Sequence, residues 1–231
     1  MGFLLCADVI DPARAEQLFA EAIACTGRSG DQLIASVLRN NASIHALRAG
    51  DLPAARAHLE HAAQAARSIG EENSTVSINL GWVLRQEGDP AGARSTFEAG
   101  LRIARRNGDR SDIAYASLGL ACLAADLGDW PRAGMLHGAA QAFIDRTREP
   151  WQDPEARYRR ESLDLLRAHL GDEQADRAYA AGLALSFDEA LDQALGRVRA
   201  SALTLWTAVE LAGLVGRLAA QRSGGPDRTA I

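Results

Sequence analysis

The sequence predicts an all-α fold: antiparallel helical hairpins stacked in an array, followed by a C-terminal helical cap. Three observations carry this prediction. One phrase recurs along the chain, the composition favours helices, and a small-large-small stripe follows each copy of the phrase. "GDLPAARAHLEHA" begins at Gly50, "GDPAGARSTFEAG" at Gly88 and "GDWPRAGMLHGAA" at Gly128, with "IDPARAEQLFAEA" at Ile10 as a looser copy. Alanine and leucine dominate, and aromatics are only 5%, so few residues of the kind that strands prefer are available.

The phrase is punctuation for a turn between helices. Gly50, Gly88 and Gly128 are spaced 38 and 40 residues apart, and a second set, Gly30, Gly70 and Gly108, interleaves with them at 40 and 38. Each glycine precedes an acid: Asp51, Asp89 and Asp129 in the first set, Asp31, Glu71 and Asp109 in the second. Glycine ends a helix and aspartate caps the next one. Pro53, Pro90 and Pro131 suit a first helical turn, whose amides need no intrahelical acceptor. The chain therefore reverses about every 20 residues, the length of one arm of a helical hairpin.

Within each second helix, Ala15, Ala55, Ala93 and Ala133 follow the acid by four or five residues. One turn on come Phe19, Leu59, Phe97 and His137, and then Ala22, Ala62, Gly100 and Ala140. A small-large-small stripe at i, i+4 and i+7 lets two backbones approach closely. In the preceding helices, "NLG" at 79–81 and "NAS" at 41–43 stand at matching distances from the turn.

This pattern resembles the tetratricopeptide repeat. The second helix matches in all four copies, and the first matches best at 75–107, where Asn79, Leu80 and Gly81 keep the family's order. Arg39, Ser77 and Ser117 replace the family's first aromatic, its closing proline is absent, and the period exceeds the usual one. The resemblance implies a right-handed superhelix and a concave groove lined by the first helix of each hairpin. Carried over by register, the groove comprises Val37, Asn40, Ile44, Leu47 and Arg48, then Thr75, Ile78, Trp82, Arg85 and Gln86, then Tyr115, Leu118, Cys122, Ala125 and Asp126. Within it, Asn40, Ile44, Arg48, Ile78, Trp82, Arg85, Gln86 and Tyr115 are the candidate partner contacts. Trp82 and Tyr115 suit either a partner hot spot or packing between repeats. Arg48 and Arg85 suit a carboxylate-bearing segment, unless a nearby acid such as Asp51 or Glu87 neutralises them.

Residues 137–195 are similar to the closing segment of large bacterial regulators that combine an ATPase core, a repeat array and a LuxR- or AfsR-type output domain. Gly138-Ala139-Ala140, Tyr158, Leu170-Gly171, Tyr179, Gly182 and "SFDEALDQAL" carry that likeness. "LTLWTAVELAGLV" at 203–215 echoes the opening of a helix-turn-helix without its recognition helix. The expected organisation is an array over 1–147 that opens inside a repeat, a helical cap over 148–220 and a disordered tail over 221–231. "REPWQDPEARY" at 148–158 reads as a rigid linker closing the array, with Trp151 as a cap or a partner contact.

Composition narrows the function. The net charge of −5, with no basic stripe and no lysine, argues against a nucleic-acid surface and rules out a Walker lysine. No basic leader precedes the short apolar start, and Glu210 and Arg217 interrupt the apolar stretch 202–220, so neither a signal peptide nor a membrane span is expected. Cys6, Cys25 and Cys122 read as small core residues of a reducing compartment, here the bacterial cytoplasm. His58 and His61 share a helix face near His45, but no further cluster completes a metal site. The acidic pairs Glu71-Glu72 and Asp188-Glu189 read as helix starts. No catalytic residue, metal or cofactor is expected. The reading is a non-enzymatic protein- or peptide-binding sensor module, with the ATPase core of a longer parent as a second partner. The alternatives are a free-standing scaffold and, third, a metal-dependent enzyme.

Overall fold

The computed structural model describes residues 12–196, and among them are ten helices and no strand. They are α1 (Pro12–Ser29), α2 (Gln32–Ala49), α3 (Leu52–Ser68), α4 (Ser74–Gln86), α5 (Pro90–Asn107), α6 (Arg110–Asp126), α7 (Trp130–Asp145), α8 (Glu155–Leu170), α9 (Asp172–Leu183) and α10 (Phe187–Ala194). Consecutive helices pair as hairpins α2/α3, α4/α5 and α6/α7, with α1 packed on α2 as a second helix. The first helices also touch one another, α2 on α4 and α4 on α6, so the hairpins stack in register. Residues 12–194 form one compact unit. The stretch 202–220, the tail 221–231 and Cys6 lie outside the described residues.

The turns are built as their residues dictate. Gly50 and Gly88 take φ of 77° and 80°, the left-handed conformation that a side chain disfavours. The following amide then reaches back to a carbonyl of the finished helix: Asp51 N–H to the Ala46 oxygen and Asp89 N–H to that of Leu84, each at 2.9 Å. The same aspartate caps the next helix, its carboxylate accepting from Ala54 N–H at 3.0 Å or Gly92 N–H at 2.9 Å. One residue thus closes one helix and opens another. Between α3 and α4 the turn is longer. There Asn73 rather than Glu71 is the cap, accepting from Val76 N–H at 3.1 Å. Glu71 and Glu72 precede the helix instead of starting it, and Glu72 pairs with Arg106. Asp188 and Glu189 do stand in the first turn of α10.

The stripe is the seam of the hairpins. Ala15, Ala55, Ala93 and Ala133 are fully buried, and so are Leu59, Phe97 and His137. The Phe97 ring fills the space that a Cβ would need on Gly81 of its own hairpin and on Gly119 of the next. One aromatic knob thereby fixes two helix pairs.

After α7 the packing changes. α8 touches α6 and α7, whereas α9 lies along α7 in a close crossing. A Cβ on Gly138 would collide with the carbonyl oxygen of Tyr179, and one on Gly182 with that of Met135. Glycines that face each other let two backbones meet with no side chain between them. Trp130 stacks on His169 at 4.0 Å, holding the end of α8 against the start of α7.

Candidate partner-binding groove

The first helices α2, α4 and α6 present the face on which the groove residues lie. The structure does bring them onto neighbouring helices, but it engages most of them internally. Asn40 and Asn79 are buried, and Asn79 Nδ2 donates to Asn40 Oδ1 at 2.9 Å. Ile78 is 2% exposed and sits where a Cβ on Gly100 would fall. Leu47, Leu118, Cys122 and Ala125 are buried, and Val37 and Ile44 are half-buried. Thr75 Oγ1 donates to the Asp112 carboxylate at 2.8 Å, linking α4 to α6. Burial raises the Asp112 carboxyl above its ordinary range, against the bonds from Ser74 and Thr75.

The two arginines have different company. Arg85 grips the Asp126 carboxylate through Nε at 2.5 Å and Nη2 at 2.8 Å, and its guanidinium lies 5.7 Å from the Trp82 ring centre. Its neutralising acid comes from the next repeat, and Glu87 pairs with Arg56 instead. Arg48 Nη2 donates to the carbonyl oxygen of Asp153 at 2.9 Å.

That last contact shows what covers the face: the chain itself. From the end of α7, residues 148–154 cross the first helices before α8 begins. Glu149 accepts from Ser111 Oγ at 3.1 Å, and the Gln152 amide donates to the Tyr115 hydroxyl at 3.3 Å. Trp151 meets Tyr115 edge-on at 5.3 Å and donates through Nε1 to Gln141 at 3.0 Å, a capping position over the last repeat. Tyr158 then lies on Trp82 with ring centres 4.9 Å apart, and its hydroxyl accepts from Gln86 Nε2 at 3.0 Å. Trp82 is fully buried between Tyr158 and Phe97, the latter 5.1 Å away and edge-on. Trp82 thus packs on Phe97 of its own hairpin and on Tyr158, and Tyr115 packs on Trp151. Pro154 ends the non-helical part of that segment, because α8 starts at Glu155 and runs through the last residues of the expected linker.

Behind Tyr158 lies a buried polar cluster. The Cys122 thiol donates to the Tyr158 carbonyl at 3.8 Å, and burial pushes it up to about 12, so it is no nucleophile at neutral pH. His137 Nε2 bonds Ser162 Oγ at 2.8 Å. Burial, then Arg159 and Arg85, push the imidazole down to about 3, leaving it neutral. Burial pushes the Glu155 carboxyl up to about 7, although Arg48 opposes the rise. Cys25 departs from its expected core role: it is exposed, with Arg28 Nη2 2.9 Å from its sulfur. His45 and half-buried His58 line one cavity of about 200 Å³ between α1, α2 and α3, while His61 is exposed. Burial first, then Arg39 and His61, lower the His58 pKa. Among the described residues, no three His, Cys, Asp or Glu side chains are placed to hold a metal. Nor is any described helix long and apolar enough to cross a membrane.

Register pointed to the receptor face but missed Gln152, Asp153, Glu155 and Tyr158, which occupy it. Their signal was compositional, two aromatics around two acids, and nothing local said where the segment would fold.

Residues 33–106, the span of α2 to α5, match the family described as "Tetratricopeptide repeat". The third hairpin, α6/α7, repeats the turn chemistry and seam of the matched hairpins. Comparison with curated proteins and with solved structures returns no match. Repeats of this family point to protein interaction.

Proposed function

We propose that the chain is a peptide-binding sensor module acting through the concave face of α2, α4 and α6, within a cytoplasmic bacterial transcriptional regulator. Contacts to the partner come from Asn40, Ile44, Arg48, Ile78, Trp82, Arg85, Gln86 and Tyr115. The single observation that supports the groove is its present occupant. A non-helical stretch, 149–154, is held by bonds to its backbone at Gln152 and Asp153, as main-chain bonds hold a foreign peptide. The regulator assignment rests on the likeness of 137–195 to the closing segment of such proteins. The parent's ATPase core would then be a neighbour in the same polypeptide.

The test is affinity capture with the full chain. Ile44→Glu and Arg48→Glu should each cut recovery of a captured partner at least about tenfold, a loss of roughly 1.4 kcal/mol. Ser95→Glu on the exposed side of α5 should leave recovery unchanged. Equal recovery by all three variants would place the interaction elsewhere.

A further inference from the structure

Residues 151–158 do more than close the array. The groove holds them by alternating ring contacts and backbone bonds. Trp151 sits on Tyr115 and Tyr158 on Trp82, while Tyr115 and Arg48 reach the Gln152 amide and the Asp153 carbonyl between them. The segment also brings two acids, Asp153 and Glu155, and the Arg48 guanidinium acts electrostatically on Glu155.

The fit leaves something undone. Trp82 Nε1 is buried and has no hydrogen-bond acceptor among the described residues. A buried donor without an acceptor weighs against the arrangement that strands it. Gln152 and Asp153 are exposed and Trp151 is only half-buried, so the stretch can be reached from solvent. An incoming segment that offers a carbonyl or carboxylate to Trp82 gains a bond the chain's own segment does not make.

We infer that residues 151–158, a turn running into the first turn of α8, are an exchangeable occupant of the groove, displaced by a partner presenting a turn and helix start with acidic residues between two aromatic side chains. This rests on the groove assignment proposed above. The chain's own segment competes at an effective concentration on the order of millimolar, because it is tethered next to its site. A foreign segment therefore binds weakly until the tethered one is loosened, and partner binding and segment release are one equilibrium.

The probe is a fluorescein-labelled synthetic peptide of residues 148–160, titrated by anisotropy into the full chain and into Trp151→Ala. Trp151→Ala removes the Tyr115 contact and the Gln141 bond and leaves the repeat seam intact. Tyr115→Leu, which loosens the same end from the other side, serves if Trp151→Ala melts below the assay temperature. The expected result is at least tenfold tighter binding to the loosened variant, lost again when Arg48→Glu is added. Equal binding to wild type and variant would overturn exchange while leaving the groove standing. No binding to any folded form would overturn exchange and count against the groove as well.

Discussion

Asn79 Nδ2 donates to Asn40 Oδ1 at 2.9 Å, so two buried amides join the first helices of successive repeats. With 7% and 4% exposure, neither amide has water to fall back on. Asn40→Ala strands the Asn79 donor and should cost about 1–3 kcal/mol. Replacing both by leucine should recover part of that loss, since no donor is then left unpaired. Chemical denaturation of the three variants checks both statements, and a silent Asn40→Ala would contradict the link.

The seam gives a sharper contrast. Ala93 is fully buried where α5 meets its partner, whereas Ala91, two residues earlier, is exposed. Ala93→Glu buries a charge in a space made for a methyl group and should cost about 3 kcal/mol or more. Ala91→Glu should stay within about 0.5 kcal/mol. Equal melting temperatures for the two would reject the register.

The crossing of α7 and α9 depends on Gly138 and Gly182 having no side chains. Gly182→Ala drives a methyl group into the Met135 carbonyl and should destabilise by about 1–3 kcal/mol. Gly27 in α1 has no heavy atom within 4 Å of a Cβ, so Gly27→Ala should be neutral or gain up to about 1 kcal/mol from helix propensity. Thermal melting of the pair separates a packing glycine from an incidental one.

Glu155 gives the returning segment a pH dependence. Burial raises its pKa to about 7, with Asp153 adding to the rise and Arg48 opposing it. The seated segment therefore holds a proton that a released Glu155 would lose. Its stability falls as pH climbs from the ordinary carboxylate range to about 7, and then levels off. His137 acts in the opposite sense: with its pKa lowered to about 3, its contribution is lost as pH falls below the ordinary histidine value. Comparison with Glu155→Gln cancels the histidine effect. The variant should be more stable than wild type by about 1 kcal/mol at pH 8, with the gap closing near pH 4.5. A constant gap across that range would show that Glu155 does not titrate in the seated segment.

What could be read from the residues was local chemistry. The turns were legible because Gly50, Asp51 and their equivalents each carry a fixed backbone task. The seam was legible because Ala93 and Phe97 repeat at helical spacing. Glu71 misled because its turn is longer, which moves the cap to Asn73. The occupied groove was not legible, since it joins Arg48 to Asp153 across 105 residues and Trp82 to Tyr158 across 76. No periodicity encodes such a return. Composition marked 151–158 as unusual without saying where it lands.

The account turns on Tyr158 of α8 being seated on Trp82 of α4, and a double-mutant cycle on that pair measures it directly. Unfolding free energies of wild type, Trp82→Leu, Tyr158→Leu and the double variant, from denaturant titration, give the coupling between the two rings. Rings 4.9 Å apart predict a coupling of about 1 kcal/mol, the double variant losing less than the sum of the singles. Losses that add to within about 0.3 kcal/mol would contradict the seating of α8 on the first helices.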